Sequence, residues 1–328
     1  MRTKIIGTLL VSILVATACK KSEELLTPEP QDGLLVKTIV TVFREREVKD
    51  PFTSKEELVF AYDDANRLIK ASNKTIHQFT DRTETMERGH TDFIYDEEGK
   101  LIRRDYYGVQ DVLGWYDELA YGDHDLPTEV SSYRLEWDPI AEKQFFQLSR
   151  YDQYAYDESG RLAERITHER VRTGNDLPAM TPVLRTLVDY DEEGNIRSTT
   201  MYPLVEMYGT LGKPLAREEY RYGVGGRSPL YFGLVHSPFY SSGIGITLAY
   251  SAEPLIQQKT TAYYESQGFA PTYQLRDFTI KTGKHGHPES IREVYVRDVH
   301  LRPPGVEAPL LVSEREIRVS NIEYISKR

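Results

Sequence analysis

The side chains of this 328-residue chain that could do chemistry are few and scattered. Its eight histidines show no zinc-protease helix spacing. His285-Gly286-His287 and Asp123-His124-Asp125 crowd metal-ligating types together, but both fall where a turn is expected, and only Glu289 lies near the first. The acidic stretches Asp96-Glu97-Glu98-Gly99 and Asp191-Glu192-Glu193-Gly194 lack the alternating oxygen ligands and closing Glu of a calcium loop. No metal and no cofactor is expected. Gly-x-Ser-x-Gly is absent, and Gly223-Val224-Gly225-Gly226 leads into no helix that could make it a phosphate loop. Among 51 acidic residues, nothing singles out a pair for glycoside cleavage. The chain is therefore read as a non-enzyme with no catalytic residue. Aromatics remain. Trp115-Tyr116 and Trp137 lie in what reads as the least regular stretch, and Phe232, Phe239 and Tyr240 lie among the prolines and glycines of Ser228 to Gly245. Exposed rings of this kind could stack on sugars, the alternative being ordinary strand packing. Trp115, Tyr116 and Tyr240 are the candidate ligand contacts.

One further reactive group stands apart. Cys19 is the only cysteine. Before it run a basic start (Arg2, Lys4), an apolar core from Ile5 to Val15 and the small residues Ala16-Thr17-Ala18, the layout of a secretory signal. The apolar run is too short to span a bilayer, which takes about 20 residues. With the cysteine directly after the small residues, the segment resembles the lipobox of bacterial lipoproteins. That resemblance implies cleavage after residue 18, diacylation of Cys19 and anchoring to a membrane. Residues 19–33, polar and holding Pro28 and Pro30, read as a tether. The acidic Glu23-Glu24 close behind Cys19 resembles a signal that carries lipoproteins to the outer face of the outer membrane.

What would position the aromatics is a repeat. Tyr62-Asp63-Asp64-Ala65-Asn66-Arg67-Leu68, Tyr95-Asp96-Glu97-Glu98-Gly99-Lys100-Leu101, Tyr156-Asp157-Glu158-Ser159-Gly160-Arg161-Leu162 and Tyr190-Asp191-Glu192-Glu193-Gly194-Asn195-Ile196 share one pattern. Weaker copies centre on Tyr121, Tyr222, Tyr250 and Thr282, and the anchors recur every 26–35 residues. Each copy reads as a hairpin turn: Asp bonds to backbone two residues on, and Gly or Asn takes the left-handed position that closes a type I turn with a bulge. Two residues before the anchors stand Phe60, Phe93, Leu119, Tyr154, Val188, Tyr220, Leu248 and Ile280, all apolar or aromatic. A strand with one buried face requires this.

With the flanking stretches Leu34 to Arg44 and Leu310 to Ile325, the eight hairpins predict an all-β chain of about 16–18 antiparallel strands over residues 34–328. So long a meander must curve, toward a barrel or into packed layers. Charge on both faces, as in Leu101-Ile102-Arg103-Arg104-Asp105, and a mean hydropathy of −0.52 argue for a soluble fold rather than a lipid-embedded barrel. Without its leader the chain carries 39 basic against 51 acidic residues, so no nucleic-acid footprint is expected.

The Tyr-Asp-x-x-Gly-Arg-Leu copies resemble the YD repeats of the RHS family, whose hairpins coil into shells. With the lipobox and the degenerate spacing, the chain looks closer to short surface lipoproteins with YD-like repeats and a porin-like β fold, and Arg227-Ser228-Pro229-Leu230-Tyr231 resembles a kink of that group. The resemblance implies a fold and an envelope location. The functional expectation is a lipid-anchored outer-membrane protein, facing outward, that binds a glycan or a protein. Its rivals are a purely architectural envelope component and an unrecognised hydrolase.

Overall fold

A computed structural model describes residues 34–44, 53–79, 81–122, 126–171, 179–205, 212–223, 255–263, 272–282, 288–301 and 310–326. Among the described residues sixteen strands follow one another: β1 (Leu34–Arg44), β2 (Thr53–Tyr62), β3 (Leu68–Gln78), β4 (Thr83–Tyr95), β5 (Leu101–Tyr107), β6 (Leu113–Tyr121), β7 (Pro127–Asp138), β8 (Lys143–Tyr156), β9 (Leu162–Val171), β10 (Ala179–Tyr190), β11 (Ile196–Pro203), β12 (Ala216–Tyr222), β13 (Leu255–Ala262), β14 (Thr272–Thr282), β15 (Pro288–Leu301) and β16 (Leu310–Ser326). Each pairs antiparallel with the next, and β1 pairs with β16 from Leu34↔Ser326 to Arg44↔Ile317. The sheet is a closed barrel. Closure removes the two free edges that layers would have left.

The repeated turns have the expected chemistry. In the first, the Asn66 amide donates to the Asp63 carbonyl and the Asp63 amide to the Arg67 carbonyl, each at 3.0 Å. The Asp63 carboxylate accepts from the Ala65 and Arg67 amides. Asp96, Asp157 and Asp191 close their turns in the same way, and Asn66, Gly99, Gly160 and Gly194 take positive φ.

The anchor tyrosines do something that composition alone does not suggest. The Tyr62 hydroxyl donates to the Val36 carbonyl, Tyr95 to Leu68, Tyr121 to Leu101, Tyr156 to Pro127, Tyr190 to Leu162, Tyr222 to Ile196 and Tyr324 to Pro288, all at 2.7–3.0 Å. Each ring, with Tyr324 joining the repeat anchors, thus ties the end of one strand to the start of the strand before it. The basic residue before the motif's Leu completes the joint: Arg67 lies over Tyr95, Lys100 over Tyr121 and Arg161 over Tyr190. The motif therefore encodes both a turn and its docking onto the next repeat.

Residues paired across a ladder share a face. One face gathers Val36, Phe60, Leu68, Ala71, Phe93, Leu101, Leu119, Val130, Tyr154, Leu162 and Ile322 into a single buried cluster spanning β1 to β9 and β16. Ile196, Tyr220 and Leu255 form a second. This face is the barrel's inside, and its apolar filling lies at the end of the tyrosine-bearing turns.

Gly89 marks a point where β4 has no room for a side chain. It sits at φ +100° beside a bulge, and an added Cβ would lie 1.9 Å from the Tyr107 carbonyl oxygen. The obstacle is backbone, which cannot rotate away. Gly89→Ala is expected to cost about 2–4 kcal/mol, combining left-handed strain with overpacking. A urea-unfolding midpoint within error of the parent protein's would contradict this.

Candidate functional site

The inner wall of β4 to β9 changes character along the barrel axis. Above the apolar layer of Phe93, Leu119 and Tyr154 comes an ionic row, and above that an aromatic one. The order follows from register. Arg104 pairs with Phe93 on one side and Asp117 on the other, Asp117 with Ser132, and Ser132 with Arg150. Two residues further along, Tyr106 pairs with Trp115 and Trp115 with Arg134.

In the ionic row, Arg104 Nη2 donates to Asp117 at 2.6 Å, with the two side chains only 6% and 8% exposed. Asp117 also accepts from the Tyr106 hydroxyl at 2.9 Å and from Ser132 at 2.6 Å. One strand pair on, Asp152 accepts from Thr167 at 2.5 Å and from Arg150 Nη2 at 2.9 Å, while Arg165 Nε stands 3.8 Å away. Tyr154 lies among these groups. Burial, aided by the Asp152 charge, pushes its phenol well above the ordinary range, and Arg165, Arg104 and Arg150 pull the other way.

The aromatic row holds Trp115. Its ring stacks on Tyr106 at a centroid distance of 4.9 Å and is 46% exposed, so water reaches the barrel interior at this level. Tyr116, the next residue in the strand, points outward. It stacks on Tyr133 at 4.7 Å, meets Phe146 edge-on at 5.0 Å and carries Arg103 over its face at 3.9 Å.

Two readings of the sequence are corrected here. The stretch that holds the tryptophans is not irregular: Trp115 and Tyr116 lie in β6 and Trp137 in β7, and only residues 108–112, with a short 3-10 turn at Val109–Asp111, separate β5 from β6. Trp115 and Tyr116 cannot serve one site, because neighbours in a strand face opposite sides. Tyr240, the Ser228 to Gly245 loop and the His285-Gly286-His287 and Asp123-His124-Asp125 clusters lie outside the described residues, as do Cys19 and its leader. Arg104 and Asp117 are site residues that composition did not flag. For Asp117 the signal was present, a charge at the inward period-2 position two residues from Leu119, whereas a bulge at Ile102 hid that of Arg104.

The outer wall carries ion pairs around much of the circumference: Lys74–Glu57, Lys70–Asp92, Arg185–Glu164, Arg197–Asp189 and Lys259–Glu219. Between them, on β4 to β9, sit the stacked pairs His90–Tyr107, Tyr116–Tyr133 and Tyr151–His168.

No protein-family model matches the chain, and none of the curated proteins does. Among solved structures it is similar to a porin-like protein from Bacteroides uniformis ATCC 8492, with 13% identity over 88% of this chain and 96% of that one, and a TM-score of 0.50. The likeness is one of fold. A porin-like protein from Bacteroides vulgatus ATCC 8482 also matches, with 13% identity, 88% and 98% coverage and a TM-score of 0.35. So does a Bacteroides fragilis protein of unknown function, with 12% identity, 39% and 92% coverage and a TM-score of 0.28. The porin-like part of the resemblance read from the repeats thus has a structural counterpart, while the YD-repeat part has no matching family model.

Proposed function

We propose that this protein is a lipid-anchored, water-facing β-barrel of the cell envelope that binds a glycan or a protein without transforming it. The observation that carries the reading is Trp115: a large ring half exposed on the inner wall, held in place by Tyr106, above a floor of ion pairs. An apolar, flat surface within reach of water and flanked by hydrogen-bonding groups suits a sugar ring. The ion pairs of the outer wall favour a barrel in water, since a lipid-facing wall has an apolar band about 25 Å tall.

The leader up to Ala18 and the thiol of Cys19 supply the anchor in this reading, and the acidic residues behind Cys19 favour the outer membrane's exterior face. The first strand of the barrel begins at Leu34, beside the tyrosine-bearing end of β16. The tether therefore enters at the apolar-filled end, and Trp115 lies toward the end remote from it.

A glycan array probed with the mature protein and with Trp115→Ala tests the binding role. Signals lost on Trp115→Ala and kept on Tyr116→Phe support the inner wall. A blank array shifts the reading to an architectural envelope component, and turnover of polysaccharide mixtures would make it a hydrolase. The anchor is tested separately. Cys19→Ala should leave soluble or unprocessed protein, because stable anchoring takes two acyl chains; continued fractionation with outer membrane would contradict lipidation.

A further inference from the structure

Resting on the inner-wall binding reading, the geometry points to an oxyanion site on that wall, formed by Arg150 and Arg165 with Arg104 behind them, which takes a carboxylate or sulfate group carried by the ligand. The case is a mismatch between donors and acceptors. Both oxygens of Asp117 are engaged, one by Ser132 and the other by Arg104 and Tyr106. Those of Asp152 are engaged by Thr167 and by Arg150. Glu169, beside Arg150, is a further carboxylate facing this group.

The guanidinium groups are not used up. Arg104 Nε and Nη1, Arg150 Nε, Arg165 Nε and the Thr186 hydroxyl have no hydrogen-bond partner. Thr186 is opposite Arg165 in the ladder, so the unsatisfied groups line one patch of wall. Buried polar groups are almost always satisfied, and a guanidinium can only donate. A group that only accepts fits such a patch better than water, which brings its own donors. Planar carboxylates and tetrahedral sulfates match the guanidinium fork. The unpartnered nitrogens are themselves shielded from solvent, and an incoming group would reach them past the exposed parts of the same side chains: Arg150 and Arg165 are 37% and 17% exposed, whereas Arg104 at 6% is a backing charge. Trp115, one register row above the Arg104–Asp117 pair, would then stack the ring that bears the anion.

The test uses the mature full chain and three probes: sodium sulfate against sodium chloride at equal ionic strength, an oligogalacturonate, and a neutral galactan oligosaccharide of similar length. Calorimetry should show the acidic oligosaccharide binding at least about tenfold more tightly than the neutral one. Arg150→Gln and Arg165→Gln should each erase that preference, while Trp115→Ala should weaken binding of both sugars. These variants replace partly exposed side chains and spare the buried Arg104–Asp117 pair, and circular dichroism checks that they fold. Thermal stabilisation by sulfate beyond that of chloride, lost in Arg165→Gln, with no oligosaccharide bound, would keep the oxyanion site and remove the glycan reading. Equal affinity for acidic and neutral sugars, unchanged by the arginine substitutions, would overturn the oxyanion site and leave the glycan reading standing. No response to any probe would overturn both.

Discussion

Arg104→Leu is expected to cost the barrel about 3–5 kcal/mol, a large part of the 5–15 kcal/mol that usually holds a domain together. The penalty arises from what the substitution leaves behind. Asp117 is buried, and its charge is balanced by Arg104 Nη2 at 2.6 Å, with Tyr106 and Ser132 supplying only neutral hydrogen bonds. Without the guanidinium, the carboxylate is left in a poorly solvated wall with no charge to balance it. The double variant Arg104→Leu/Asp117→Leu should regain most of the stability, because a buried pair replaced by apolar groups of similar volume is often neutral. Urea-unfolding midpoints of the two single variants and the double form a mutant cycle. If the double is as unstable as the sum of the singles, the pair does not carry the coupling assigned to it.

The same pair shows where the sequence was readable and where it was not. Tyr-Asp-x-x-Gly turns are local, so their hairpins and the burial of Phe60, Phe93, Leu119, Tyr154 and Tyr220 two residues before the anchors follow from period 2 alone. Closure is not local. Nothing near Leu34 or Ser326 announces that they pair, since turn chemistry fixes each hairpin but not how many of them complete a circle. Facing was hidden by bulges. Leu101-Ile102-Arg103-Arg104-Asp105 reads as charge spread over both faces. In the barrel Tyr95 pairs with Leu101 and Ile94 with Arg103, so Ile102 is skipped, Arg104 turns inward beside Phe93, and Arg103 and Asp105 face out together. One extra residue reverses every later side chain in a strand.

The tyrosines that tie the hairpins together have a consequence at high pH. A cooperative alkaline unfolding is expected between about pH 10 and 12, well before the backbone is attacked. Burial is the first cause that raises the phenols of Tyr62, Tyr95, Tyr121, Tyr154 and Tyr324. Tyr121 is pushed up to about 12, and the other four go higher. In the unfolded chain each would ionise near 10. The folded state thus holds protons that the unfolded state releases, so the contribution is complete below about pH 10 and is lost as pH rises through the folded values. Tyr62, Tyr95 and Tyr154, the most buried, each remove about 1.4 kcal/mol per pH unit over that window; Tyr121 and Tyr324 are more open to solvent, so screening makes their share smaller, and together the rings overtake an ordinary domain's stability within roughly two units. Ionisation also destroys the device itself: a phenolate cannot donate to the carbonyls of Val36, Leu68, Leu101 and Pro288, and repels them. Absorbance near 295 nm should accordingly rise in one steep step that coincides with loss of the β signal in circular dichroism. Tyr95→Phe removes one titrating group and one hydrogen bond, so it should lower stability by about 1 kcal/mol at neutral pH and make the alkaline step shallower. Gradual ionisation along the curve of free tyrosine, with the β signal intact, would mean that these rings are open to water and do not tie the hairpins together.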